Sequence, residues 1–242
     1  MKRPRLWIVA PHPDDECITG LLALRLQREC GFGVTVSPAT LGSLRARRAA
    51  RREELRAACA ALGWVPWFGA AMTDDPQEKV RRLAARWRME RPDLVFLPHA
   101  LDNHPTHRAT HRWGAAAMDA AGGAFRAVET EYWHPLLRPN LMVAASAGDL
   151  RDLAAALSLH RGEVARNDYA SRLPDWMSDN VRRGAELVGG PGAGAPKMAH
   201  ATLYRARIRE GGRWRAAGGG LIAGQEELAR WVARFLPAVP RA

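Results

Sequence analysis

Two segments of the sequence combine histidine with carboxylate side chains at spacings that suit a metal site. The first is Pro11-His12-Pro13-Asp14-Asp15-Glu16, in which two prolines restrict the backbone around His12. Successive residues of a helical turn point about 100° apart, so only one of Asp14 and Asp15 easily shares a ligand with His12. The other carboxylate is then free to act as a base. In the alternative interpretation the acids only cap a helix, because the helix dipole favours negative charge there.

The second segment is Asp102-Asn103-His104-Pro105-Thr106-His107, with His111 beyond it. His104, His107 and His111 have the spacing i, i+3, i+7, so they would line one face of a helix. Two histidines and one carboxylate leave a coordination position open on zinc, as catalytic zinc sites require. A zinc-bound water has a pKa of roughly 7, so a nearby carboxylate can take its proton at neutral pH. The two segments together indicate a hydrolytic metal site.

Both segments follow predicted strands in the first half of the chain. The predicted strands are 5–10, 34–41, 65–72 and 93–97, and the predicted helices are 15–30, 44–62, 76–89 and 105–121. Strands that alternate with helices of this length predict parallel βαβ units with helices on both faces of the sheet. Right-handed crossovers bring the strand-to-helix loops to one edge, where α/β proteins bind ligands.

The second half of the chain has weaker patterns. We expect strands at 129–132, 140–146 and 201–208 and helices at 149–159 and 225–235. Neither an internal repeat nor a linker is evident, so the sequence predicts one domain over 1–242. This domain has a metal-binding α/β core at 1–122 and further strands, loops and helices of the same domain at 123–242.

The composition is that of a globular protein with an excess of arginine. Of 242 residues 47% are hydrophobic, and no apolar window is long enough for a membrane span. Three widely spaced cysteines form neither a disulfide framework nor a CxxC site, so we expect a cytoplasmic protein. The net charge of +11 comes almost entirely from arginine, which on its own is compatible with solvated helix faces. The alternative is an Arg-rich nucleic-acid-binding protein, since six of residues 45–56 are arginine.

The two segments resemble the PIG-L/LmbE-like family of zinc-dependent N-deacetylases, in which the first motif is typically AHPDDE and the second HPDH. Arg51-Arg52-Glu53-Glu54-Leu55 adds to the resemblance, which covers roughly the first half of the chain. It implies a Rossmann-like three-layer α/β fold with a mostly parallel sheet. It also implies removal of an N-acetyl group from an amino-sugar-containing small molecule.

The resemblance assigns roles to residues of both segments. It implies that zinc, or another divalent transition metal, is bound by His12, Asp15 and His107. It also implies that Asp14 is the general base, and that His104 is the acid or stabilises the tetrahedral intermediate. Arg51 would contact the substrate. Asp74 follows the third predicted strand, where it would bind sugar hydroxyls or only cap a helix.

One position departs from the family pattern, because Thr106 replaces an aspartate that is expected to orient a histidine. Either the pKa of the acid, His104, is lower for this reason, or another carboxylate such as Asp102 takes the place of the missing aspartate. A catalytically idle relative that binds metal and sugar is a further alternative. The roles of His111 and His134 and the oligomeric state, including a homo-oligomer, stay open. Four tryptophans could stack on a sugar or belong to the core: Trp64, Trp67, Trp113 and Trp133.

Overall fold

A computed structural model describes residues 3–194 and 196–236. The strands are β1 (Arg5–Ala10), β2 (Gly33–Pro38), β3 (Val65–Pro66), β4 (Leu94–Pro98), β5 (Phe125–Thr130), β6 (Leu141–Ala145), β7 (His200–Glu210), β8 (Arg213–Ala216) and β9 (Gly220–Ile222). They form one mixed sheet in the order β3-β2-β1-β4-β5-β7-β6-β9, with β8 paired to β7. Most of the strand pairs are parallel, as the sequence predicts.

The helices pack on both faces of this sheet. They are α1 (Asp15–Ile18), α2 (Leu21–Cys30), α3 (Arg48–Leu62), α4 (Pro76–Glu90), α5 (Pro105–Ala121), α6 (Ala147–Leu157), α7 (Arg161–Val164), α8 (Tyr169–Gly189) and α9 (Gln225–Phe235). Within the part of the chain described, none of them combines the length and the apolar character of a membrane-spanning helix.

The strand order explains where a ligand can bind. β1 pairs in parallel with both β2 and β4, and the chain reaches β4 only after β2 and β3 on the other side of β1. The order therefore reverses between β1 and β4, and a crevice forms at the carboxyl ends of these two strands. Residues 11–16 and 102–107 follow these two ends. Strands of the second half join the sheet through β5, which pairs in parallel with β4 and antiparallel with β7.

Alternate side chains of β1 separate the core into two layers. Leu6 and Ile8 pack with residues of α2, α3 and α6, whereas Trp7 and Val9 pack with residues of α4 and α5. All four side chains are buried. The three-layer arrangement of the predicted fold class is thus present. The predicted domain, 1–242, includes residues 1, 2, 195 and 237–242, which lie outside the described part.

The predicted helix at 15–30 is wrong in one respect, because it is broken at Thr19 and Gly20. A Cβ atom on Gly20 would lie 2.1 Å from the carbonyl oxygen of Glu16, so only glycine fits this close approach. The hydroxyl of Tyr204 accepts a hydrogen bond from the backbone N–H of Leu22 and donates one to the carbonyl of Thr19. These contacts separate α1 from α2.

Other elements differ from prediction as well. The predicted strand at 65–72 pairs with the sheet only at Val65–Pro66, and Ala70–Met72 forms a 3-10 turn. The sequence does not predict α7, α8, β8 or β9, and Pro174 in the interior of α8 weakens the helical pattern there. β5 also begins at Phe125 rather than at residue 129, and the remaining boundaries shift by a few residues.

Candidate active site

The loops after β1 and β4 bring three histidines together. The ring centroid of His12 lies 5.1 Å from that of His104 and 5.5 Å from that of His107, and His104 and His107 are 5.1 Å apart. One ring nitrogen from each histidine lies within 4.8 Å of the others. Three imidazoles at this separation can share one metal ion.

Asp15 adds a carboxylate to this histidine cluster. Its Oδ2 accepts a hydrogen bond of 2.8 Å from the backbone N–H of His12, and its Oδ1 lies 3.6 Å from Nε2 of His107. Burial disfavours the charged carboxylate, but His107 and His12 outweigh this effect and lower the pKa of Asp15 to about 2. Asp15 is therefore ionised at neutral pH and can offer an oxygen atom to a cation.

His107 presents its Nε2 atom to the cluster. This atom is buried and has no hydrogen-bond partner among the residues that the structure describes. The other ring nitrogen, Nδ1, lies 3.3 Å from Oδ2 of Asp102. Burial opposes protonation, but Asp15 and Asp102 together raise the pKa of His107. A histidine backed by a carboxylate, with its second nitrogen free, has the arrangement of a metal ligand.

His104 occupies a different position, as the N-cap of α5. Its Nδ1 accepts a hydrogen bond of 3.2 Å from the backbone N–H of Thr106, so a carboxylate does not hold this nitrogen. Burial and the nearby His12 and His107 lower the pKa of His104. His111 points elsewhere, because its Nδ1 lies 2.9 Å from the carbonyl oxygen of Pro98.

Asp14 lies beside the cluster in a strained conformation. Its φ of 123° is rare for a residue with a side chain, and its backbone N–H donates a hydrogen bond of 2.9 Å to Oε2 of Glu16. The side chain is buried, and its Oδ1 lies 4.0 Å from Nη2 of Arg51. Burial, reinforced by the charge of Asp15, raises the pKa of Asp14.

Arg51 points inward, as its place on the buried stripe of α3 predicts. Its Nη2 donates a hydrogen bond of 3.1 Å to the carbonyl of Pro13 and lies 3.5 Å from Glu163. Gly42 gives this side chain room, because a Cβ atom there would lie 2.4 Å from Nη1 of Arg51. The guanidinium therefore joins the Asp14 loop to the second half of the chain.

A cavity of about 400 Å³ opens next to the histidine cluster. Its lining includes Asp74, which accepts two hydrogen bonds of 3.2 Å from Arg48. The lining also includes Trp133, which is 47% exposed and whose ring centroid lies 6.5 Å from that of His104. Asp74 is thus at the cavity but paired with an arginine. Trp64, Trp67, Trp113 and His134 do not line the cavity.

Several residues at the site come from the second half of the chain, where the sequence predicts no role for them. Tyr169 and Glu163 line the cavity, and His160 lies behind Asp14. They belong to no motif and are far from the two histidine segments in sequence. No pattern in the chain could therefore have indicated them.

One family model matches part of the chain. The PIG-L family model, described as GlcNAc-PI de-N-acetylase, matches residues 7–118. None of the curated proteins matches the chain in sequence.

Solved structures share the fold at low sequence identity. N,N′-diacetylchitobiose deacetylase from Pyrococcus horikoshii is 16% identical, with a TM-score of 0.64 over 84% of this chain and 83% of its own. The zinc-inhibited form of teicoplanin deacetylase Orf2 is 18% identical, with a TM-score of 0.56 over 85% and 98%. GalB, the 4-carboxy-2-hydroxymuconate hydratase from Pseudomonas putida KT2440, is 19% identical, with a TM-score of 0.64 over 85% and 96%. Identities this low show a common fold.

Proposed function

We propose that the chain, whose residues 7–118 match the PIG-L family model, is a metal-dependent N-deacetylase acting on an N-acetylated amino sugar. The observation that carries the proposal is the free, buried Nε2 of His107, which faces Asp15 and His12 beside the cavity. Two of the similar structures are deacetylases by their descriptions, which supports the reaction class.

The donor set fits a divalent transition metal. His12, Asp15 and His107 supply two imidazoles and one carboxylate, which is the ligand set of many catalytic zinc sites. The 3.3 Å contact between Asp102 and His107 supplies the outer partner that such ligands usually have. When bound, the cation supplies Lewis acidity, polarising the acetamide carbonyl and lowering the pKa of a water molecule.

The remaining residues move protons. The Asp14 carboxylate takes a proton from the attacking water as the water oxygen bonds to the acetyl carbon. His104, which also lines the cavity, stabilises the tetrahedral oxyanion or protonates the amine nitrogen as the carbon–nitrogen bond breaks. The products are acetate and the free amino sugar.

The cavity walls offer contacts for a sugar. Arg51, Asp74 and Arg48 present hydrogen-bonding groups, and the exposed ring of Trp133 suits the apolar face of a sugar. The arginines of residues 45–56 are largely engaged within the described chain, since four of the six form ion pairs with carboxylates. This weighs against the nucleic-acid alternative.

The test is acetate release after removal and controlled return of the metal. Protein stripped with a chelator and reloaded with one equivalent of zinc is incubated with free N-acetyl amino sugars, N-acetylated glycolipids and N-acetylated antibiotic precursors. We expect acetate from at least one of them and none from the stripped protein. An arm with excess zinc is included, because one similar structure is a zinc-inhibited form.

Asp14→Asn is the matched variant, since asparagine tolerates a positive φ and keeps the side-chain size. It is expected to bind zinc but to turn over about 10²- to 10⁴-fold more slowly. Metal-replete wild-type protein that releases no acetate from the whole panel would reject the proposal.

A further inference from the structure

A buried pair of side chains lies directly behind Asp14. Nε2 of His160 lies 2.7 Å from Oε1 of Glu16, and both side chains are fully buried. Glu16 accepts two further hydrogen bonds, from the backbone N–H of Asp14 and from the thiol of Cys17. Because Glu16 acts as the acceptor throughout, His160 Nε2 is the donor in this pair.

The peptide group between Pro13 and Asp14 is held at both of its ends. Its carbonyl oxygen accepts a hydrogen bond of 3.1 Å from Arg51, and its N–H donates one of 2.9 Å to Glu16. The next dihedral angle along the chain is the φ of 123° at Asp14. Such a conformation persists only where the surroundings over-determine it. Arg51 and Glu16 are the groups that do so here.

Arg51 and Glu16 are in turn contacted by α7 and its N-cap residue, in the second half of the chain. His160 is the N-cap of α7, where its carbonyl accepts hydrogen bonds from the backbone N–H groups of Glu163 and Val164. Glu163 lies within α7, and its carboxylate is 3.5 Å from Arg51. His160 therefore reaches Glu16, and Glu163 reaches Arg51, from the same turn of chain.

We propose that α7 positions the general base, with His160 acting through Glu16 and Glu163 acting through Arg51 to hold the Pro13–Asp14 peptide. This inference rests on the proposed function for the role of Asp14. It makes His160 and Glu163 positioning residues, since they reach the Pro13–Asp14 peptide through Glu16 and Arg51. It also explains how a segment outside residues 7–118 contributes to catalysis.

Glu16, Cys17 and His160 also have the spacing of a second metal site. Both oxygens of Glu16 are already engaged, by His160 and Cys17 on one side and by Asp14 on the other. A cation there would have to displace the hydrogen bond that holds Asp14. The positioning role therefore predicts one metal ion per chain, and two ions bound at saturation would contradict it.

The first experiment replaces His160. In His160→Gln the side-chain amide can still donate to Glu16, whereas His160→Leu fills the space without a donor. We expect His160→Leu to lower kcat by up to about 100-fold, the usual effect of a small misplacement, with KM and zinc affinity unchanged. His160→Gln should recover most of this loss. Asn180→Leu, which removes another fully buried hydrogen bond in the second half, should lower thermal stability and leave kcat unchanged.

The second readout does not depend on activity. The Asp14 amide is expected to exchange slowly with solvent in the wild type and in His160→Gln, and rapidly in His160→Leu. If His160→Leu does not fold, Glu163→Gln tests the same peptide through Arg51. Unchanged exchange at Asp14 together with wild-type kcat in these variants would overturn the inference. Absence of acetate release by the wild type would instead reject the proposed function and leave the exchange test standing.

Discussion

Asp102 and His107 form the outer contact of the histidine cluster: Oδ2 of Asp102 lies 3.3 Å from Nδ1 of His107. The other oxygen of the same carboxylate accepts a 2.7 Å hydrogen bond from the backbone N–H of His104. One carboxylate therefore orients the His107 ring and fixes the backbone at His104. The ring of His104 has a different partner, the N–H of Thr106.

Replacement of Asp102 tests this contact. Asp102→Asn keeps the size of the side chain but removes the charge that holds the His107 ring. We expect zinc affinity to fall about 10- to 100-fold, as measured by competition with a chelating dye. Asp119→Asn is the control, because Asp119 lies within α5 and pairs with Arg209 on β7 instead of with a histidine. Equal affinities for Asp102→Asn and the wild type would show that Asp102 does not support the metal site.

Replacement of Thr106 tests what sets the pKa of His104. Burial lowers the pKa of His104, and His12 and His107 lower it further. Activity that needs protonated His104 is lost as the pH rises through this pKa. A carboxylate in Thr106→Asp favours the protonated ring, so the basic limb of the pH–rate profile should move to higher pH. Thr106→Asn has a similar shape without the charge and should leave the limb in place. Identical profiles for the two variants would exclude Thr106 as a tuning position.

Trp133 offers a test of sugar binding. Trp133→Ala removes the exposed ring at the cavity wall. We expect KM to rise by about 2- to 10-fold with little change in kcat, since ring stacking contributes about 0.5–1.5 kcal/mol. Trp133→Phe should restore most of the affinity. Leu187→Ala is the control, because Leu187 is also 47% exposed but lies on α8, outside the cavity lining. It should leave KM unchanged. A KM for Trp133→Ala equal to that of the wild type would place the substrate elsewhere.

Two sequence patterns predict where the site lies. The βαβ alternation places 11–16 and 102–107 at the carboxyl ends of β1 and β4, because parallel strands with helical crossovers share one edge. The inward direction of Arg51 also follows from its spacing to Leu55 on the buried face of α3. Both patterns are local periodicities of apolar residues, which can be seen in the sequence itself.

Other features depend on contacts that no local pattern contains. The break between α1 and α2 depends on Tyr204, which lies 182 residues from Leu22. The same holds for His160, which is 144 residues from Glu16. The separation of His111 from the other two histidines was not predicted either, since i, i+3, i+7 spacing does not show that the His111 ring contacts the carbonyl of Pro98. Tertiary packing decides all three.

The cysteines test the packing behind Asp14. Cys17 and Cys59 are fully buried, and burial raises the pKa of both thiols, so neither should form the reactive thiolate. Cys30 is partly exposed. A disulfide reagent at pH 9 should therefore modify one thiol in the native protein and three after denaturation. The variant Cys30→Ser should show no rapid reaction in the native state. Rapid modification of Cys17 would contradict the buried contact with Glu16.

The most direct test of the account is the zinc content of histidine variants after dialysis against a small excess of zinc. We predict one equivalent in the wild type and in His104→Ala, because His104 acts on the substrate side of the cluster. In His107→Ala the zinc affinity should fall by more than the roughly 10- to 100-fold expected when a residue that only supports a ligand is lost. This variant should therefore retain no zinc after dialysis. A wild-type protein without bound zinc, or a His107→Ala protein that keeps a full equivalent, would contradict the account.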